Sequence, residues 1–137
     1  MKVVARVRVE ATANPTESVA KVKAACLNVF PDLTFTHDGT ALVGNGSDLR
    51  RFRELIRYER IRDSARAVLI RQRHGNATSF SLSKQAAYVG RLNFASGAPL
   101  GDLAVTIEDE DLDALIDDVA ESTVGKRLTR PDRTEDT

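Results

Sequence analysis

Nine arginines, Arg50, Arg51, Arg53, Arg57, Arg60, Arg62, Arg66, Arg71 and Arg73, fall between residues 50 and 73 against three carboxylates, Glu54, Glu59 and Asp63. A planar guanidinium donates two parallel hydrogen bonds to a phosphate, so arginines at helical spacing can follow a nucleic-acid backbone. On that reading Arg53, Arg57 and Arg60 line one face, with Arg62, Arg66 and Arg73 near it, as a phosphate track. The same residues admit two other readings. Solvated helix faces carry arginines in i,i+3 and i,i+4 pairs, here with Glu54, Glu59 and Asp63. Alternatively an acidic helix of a partner subunit docks on them, since residues 102–121 hold nine carboxylates and no lysine or arginine, and such complementarity steers association.

A second polar cluster occupies residues 74–94, where Asn76, Lys84, Gln85, Tyr88, Arg91 and Asn93 gather around a strand end without an amphipathic pattern. Lys84 and Arg91 supply charge and Tyr88 a stacking ring of the kind that holds an unpaired nucleotide, flanked by the amides of Gln85 and Asn93. The structural alternative is that Gln85 and Asn93 satisfy loop backbone groups while Tyr88 packs.

Reactive chemistry has little to work with. Gly44-Asn45-Gly46-Ser47 enters a helix but lacks the spaced glycine and lysine of a triphosphate-binding loop, so Ser47 reads as a helix cap and the segment as a loose anion nest at most. His37 and His74 each sit beside a turn with no cysteine or carboxylate at ligand spacing, and no metal is expected. A serine nucleophile would need a Gly-x-Ser-x-Gly elbow, which is missing, and a base from only two histidines. Cys26 falls in the apolar stripe of a helix, where a thiol behaves as a small hydrophobe. Neither catalysis nor a cofactor is expected, and nothing points to sequence-specific DNA recognition.

The elements that position these side chains follow from periodicity. Residues 2–12 alternate, with Val3, Ala5, Val7, Val9 and Ala11 on one face, as a half-buried strand. Asn14-Pro15-Thr16-Glu17 reads as a helix start, and Val19, Val22, Cys26 and Val29 share the inward face of a helix that ends before Pro31. Residues 33–36 and 40–43 form a hairpin through His37-Asp38-Gly39, and Gly44-Asn45-Gly46 breaks its second strand. A helix from Ser47 turns Leu49, Phe52, Leu55 and Ile56 inward, followed at residues 61–71 by a helix, or a bent continuation, with Ala65, Val68 and Leu69 as its stripe. Residues 77–83 alternate as a strand, residues 84–89 form a short helix or turn, residues 91–94 a strand, and Leu103, Val105 and Ile107 mark the last strand. A final helix starts near Asp109–Asp111 and buries Leu112, Leu115, Ile116 and Val119.

These elements predict an α+β domain over residues 1–122, a mostly antiparallel sheet covered on one face by helices, with a disordered tail at residues 123–137. A chain of 137 residues with 42% hydrophobic content suffices for one core. The 20 basic and 20 acidic side chains cancel, so any attraction to polyanions must come from local patches. One cysteine excludes an internal disulfide, and neither a leader-like apolar segment nor an eighteen-residue apolar run appears, so a cytoplasmic location is expected.

Five ordered blocks carry a family resemblance: residues 60–69 (RIRDSARAVL), Gly75-Asn76 with Thr78 and Phe80, residues 84–90 (KQAAYVG), Asn93-Phe94, and Pro99-Leu100-Gly101. Together they resemble a family of uncharacterised archaeal proteins often encoded near dephospho-CoA kinase, over residues 2–121. The resemblance implies a fold similar to the large-subunit ribosomal protein that contacts 5S RNA, assembly as a homodimer, and an RNA-binding label resting on fold analogy. The alternative it leaves is a homodimeric interaction protein tied to coenzyme A metabolism.

Overall fold

The computed structural model describes residues 5–13, 17–38, 41–95 and 102–121. Among the described residues, seven strands, β1 (Arg6–Thr12), β2 (Thr34–Asp38), β3 (Ala41–Gly46), β4 (Arg73–His74), β5 (Ala77–Ser83), β6 (Phe94–Ala95) and β7 (Asp102–Glu108), form one sheet. Its order is β2-β3-β1-β7-β5-β4, with β6 also on β5, and every pairing is antiparallel. Alternation decides which face is covered. Val7, Val9 and Ala11 of β1, Leu103, Val105 and Ile107 of β7, and Thr78, Phe80 and Leu82 of β5 are buried, while Arg6, Arg8 and Glu10 point to the open face.

The helices of the described residues, α1 (Val19–Val29), α2 (Arg50–Tyr58), α3 (Arg62–Arg71), α4 (Lys84–Tyr88) and α5 (Leu112–Val119), supply the other layer. Their apolar stripes meet the sheet in one core. Phe30, Phe52, Phe80 and Phe94 run through it in sequence, with ring centroids 5.4, 5.8 and 5.5 Å apart, binding the end of α1 to α2, β5 and β6. Each such pair adds about 1 kcal/mol to the gain from burial. The α+β class, the antiparallel sheet and its one-sided helical cover are as predicted. No described helix is long and apolar enough to cross a membrane.

Several boundaries differ from the sequence reading. The start of α1 lies at Ser18, whose hydroxyl accepts from Lys21 N, and not at Asn14; residues 14–16 are outside the described residues. Val19 is consequently at the helix rim and 37% exposed, whereas Val22, Cys26 and Val29 are buried. β3 does not break at its glycines. A Cβ at Gly44 would lie 2.9 Å from Phe35 Cε1, and one at Gly46 would overlap Asp32 Oδ1, so glycine here admits close neighbours within an intact strand. Ser47 does not cap α2. The Asp32 carboxylate accepts from Ser47 N and Asp48 N, and Asp48 Oδ1 in turn accepts from Arg50 N. The Arg50 guanidinium beside Asp48 holds that carboxyl below its ordinary range. Residues 91–93 are not strand, and β6 begins at Phe94. The tip of the β2–β3 hairpin at residues 39–40, the end of the domain and the tail expected at residues 123–137 lie outside the described residues.

Candidate nucleic-acid interface

The basic stretch is two helices separated by a helix-ending motif. Ile61 N donates to Ile56 O and Arg60 N to Arg57 O, the paired bonds that close a helix when the residue between adopts a left-handed backbone. That residue is Arg60, at φ 58. The same pair of bonds closes α4, where Arg91 N donates to Ala86 O and Gly90 N to Ala87 O, and there the left-handed position at φ 77 is glycine. A non-glycine residue in this conformation costs about 1 kcal/mol. The two motifs lie side by side, because Glu59 Oε2 accepts from Leu92 N at 2.9 Å. Arg60 and Arg91 are the sequence neighbours of the two residues that make this bond.

Most of the other arginines are neutralised within the chain. β7 delivers α5 alongside α2 and α3, and its carboxylates meet their guanidinium groups. Arg53 Nη1 donates to Asp118 Oδ1 at 3.0 Å, Arg62 Nη1 to Glu121 Oε1 at 3.0 Å and Arg66 Nη1 to Asp117 Oδ1 at 2.6 Å; Arg73 pairs with Asp113. Arg57 Nη2 lies 3.7 Å from the Glu121 oxygen that Arg62 already holds. The open phosphate track expected through Arg53, Arg62, Arg66 and Arg73 is therefore corrected: opposite charges brought together by the fold satisfy each other first. The acidic helix expected from a partner subunit is the chain's own. Of the local pairs expected with Glu54, Glu59 and Asp63, an ion pair with Glu54 forms, from Arg51 at 3.4 Å, and Glu59 serves the Leu92 amide instead.

Arg60, Arg71 and Arg91 are exposed and make no ion pair with a described residue. Arg57, Arg60 and Arg62 converge with Asp63, Ser64 and Glu121 on a cavity of about 710 Å³ at the α2–α3 junction. The first turn of α3 there has no side-chain cap, and Asp63 in that turn supplies the negative charge that the end of the dipole favours.

The second cluster divides. Lys84 is 6% exposed, and its ammonium donates to Thr12 O at 2.8 Å and to Glu17 Oε1 at 3.1 Å. It is a buried tie between β1 and α4, and its expected service as a surface charge is corrected. Gln85, Tyr88, Arg91 and Asn93 are exposed. Tyr88 does not pack away, and neither amide side chain hydrogen-bonds a described residue; Ser83 N instead donates to the backbone carbonyl of Asn93. Asn28 Nδ2 donates to both Ala87 O and Tyr88 O at 3.0 Å, fixing α4 against α1. The sequence reading missed Lys21, whose Nζ stands 5.9 Å from the Tyr88 ring centroid. No local signal singles it out, since the packing of α1 on α4 creates the proximity. Cys26 is buried as predicted, and burial pushes its thiol up to about 12.

A family model described as RNA binding matches residues 6–110. The UPF0201 protein of Methanothermobacter thermautotrophicus is 40% identical over 116 residues, 82% of this chain and 88% of the relative. The UPF0201 protein of Methanocaldococcus jannaschii is 38% identical over 136 residues, 93% of this chain and 79% of the relative. The crystal structure of an uncharacterized UPF0201 protein is similar at a TM-score of 0.82 and 32% identity, over 86% of this chain and 94% of that one.

Proposed function

The chain belongs to the UPF0201 family of archaeal proteins, and from that premise we propose that it is a non-catalytic RNA-associated protein that meets phosphates at the α2–α3 junction and the adjoining end of α4. Arg60 and Arg91 make the leading contacts, and Arg57 and Arg62, which share one carboxylate, add to them. The observation that carries the reading is the contrast between the two neighbouring helix ends. Gly90 fills the left-handed position without strain, whereas Arg60 holds the equivalent position at a backbone cost and presents a guanidinium with no ion pair among the described residues. An arginine kept where glycine is easier fits a side chain with an outside task. The family model described as RNA binding, which spans both motifs, supports the identity of the anion.

With the total charge at zero, affinity comes from a few local contacts and falls with salt. Binding of total cellular RNA in a salt series tests this. The Arg60→Ala/Arg91→Ala variant is expected to bind more weakly, with a log-log salt slope shallower by about 0.7 for each single-strand phosphate that the variant no longer neutralises. The Arg53→Ala/Arg66→Ala variant, which removes internally paired groups, is expected to keep the wild-type slope. Equal binding by wild type and the first variant would remove the reading.

A further inference from the structure

Between α1 and α4 lies a cleft of about 550 Å³ whose lining is unlike that of the arginine cavity. Its floor is apolar, made by the buried Val22 and Ala25. One wall is Tyr88 and Val89, 46% and 67% exposed. Lys21 stands at the rim above the tyrosine ring, and Gln85 offers an amide donor and acceptor. Ser18, Glu17 and Lys84 complete the polar end, where Ser18 caps α1 and Glu17 holds Lys84.

We propose that this cleft receives one unstacked base of a bound single-stranded RNA, laid against Tyr88 with its edge toward Gln85. The proposal rests on the RNA reading above and adds which kind of RNA is taken and how. A base presents two apolar faces and a polar edge, which is the pattern of the cleft: aromatic wall and aliphatic floor on one side, an amide on the other. The adjoining phosphate falls toward Lys21 and away from the Glu17 carboxylate. The ring needs little ordering on binding, because the two Asn28 hydrogen bonds and the glycine-closed helix end already fix the turn that carries it. Tyr88 is three residues before Arg91 in the turn closed by Arg91 N on Ala86 O, so one turn carries both the stacking ring and a phosphate contact. Bases inside a duplex cannot enter, so single strands are preferred.

The test compares three probes of one length: a single-stranded RNA, the same backbone with its bases removed, and a duplex. Wild type is expected to bind the intact strand about 5- to 100-fold more tightly than the abasic one. Tyr88→Ala abolishes that difference while keeping the salt slope, and Tyr88→Phe, which retains the ring, restores it. In protein labelled with 3-fluorotyrosine, with the two tyrosine resonances assigned through Tyr58→Phe, the Tyr88 signal moves with the intact strand and stays in place with the abasic one. Equal binding of intact and abasic strands by wild type, or wild-type discrimination by Tyr88→Ala, overturns the base site and leaves the phosphate contacts standing. Failure of every probe to bind at low salt overturns both.

Discussion

Arg66 places one guanidinium nitrogen 2.6 Å from Asp117 Oδ1 and 3.2 Å from the carbonyl of Ala120, so a single side chain of α3 closes both a carboxylate and the C-terminal end of α5. The Asp117 side chain is 63% exposed, and solvent screens most of the attraction. A double-mutant cycle with Arg66→Ala and Asp117→Ala, followed by urea unfolding, is expected to give a coupling of about 0.5 to 1 kcal/mol. A coupling of several kcal/mol would mean that the ion pairs of α5 with α2 and α3 hold the helices together and are not merely satisfied by them.

Weak pairs can be traded. Asp117→Asn/Asp118→Asn releases Arg66 and Arg53 beside the proposed phosphate contacts, so RNA affinity is expected to rise and its salt slope to steepen, by up to about 0.7 for each released guanidinium that reaches a phosphate. Unchanged affinity and slope would show that the bound strand does not run along the α5 side of α2 and α3.

Lys84 separates a structural cation from a binding one. Its ammonium serves the Thr12 carbonyl and the Glu17 carboxylate, and Lys84→Met would keep the stem while leaving both acceptors without it. The expected cost is about 2 kcal/mol in urea unfolding, with the RNA salt slope of the folded variant unchanged. A shallower slope at wild-type stability would return Lys84 to the nucleic-acid contacts.

What could be read from the sequence was what nearest neighbours decide. Thr78, Phe80 and Leu82 alternate into the core, and Phe52, Leu55 and Ile56 recur on one helix face, because burial of one side imposes those periods. The complementary charge of residues 50–73 and 102–121 was legible too, but not that the two would meet inside one chain; that depends on β7 pairing with β1 and β5 and so placing α5. Long-range hydrogen bonds were equally hidden. Asp32 captures the amides of Ser47 and Asp48 across a hairpin and so displaces a serine cap that local preference favours. The charge of Arg60 placed it in the expected phosphate track, but its left-handed backbone gave no local warning, because nothing in the residues around 60 marks the end of one helix and the start of the next.

The buried thiol makes a prediction about pH. Burial of Cys26 raises its pKa from 9.0 to about 12, so the folded chain holds that proton more tightly than the unfolded one. Below pH 9 both states are protonated and the contribution is fully present; above it the unfolded chain ionises first, and stability falls until the pH passes the folded value. Between pH 8 and 10 wild type is expected to lose about 1 kcal/mol more than Cys26→Ala, measured as the change in their difference in urea stability. A difference that stays constant between those two pH values would show that the thiol is solvated.

Arg60→Gly separates stability from binding most sharply. The residue occupies the left-handed position of a motif whose bonds run from Ile61 N to Ile56 O and from Arg60 N to Arg57 O, and glycine adopts that backbone freely, as Gly90 does at the end of α4. Relief of strain of about 1 kcal/mol is partly offset by the greater freedom glycine gives the unfolded chain, so a net gain of about 0.5 kcal/mol in urea unfolding is expected. RNA affinity should fall in the same variant, because the guanidinium is gone while the turn that presents it is intact. Arg91→Ala, which relieves no strain, should lose affinity without any gain in stability. If Arg60→Gly bound RNA as wild type does, the strained arginine would have no task in binding, and if it were less stable, the helix end would depend on a contact of the side chain itself.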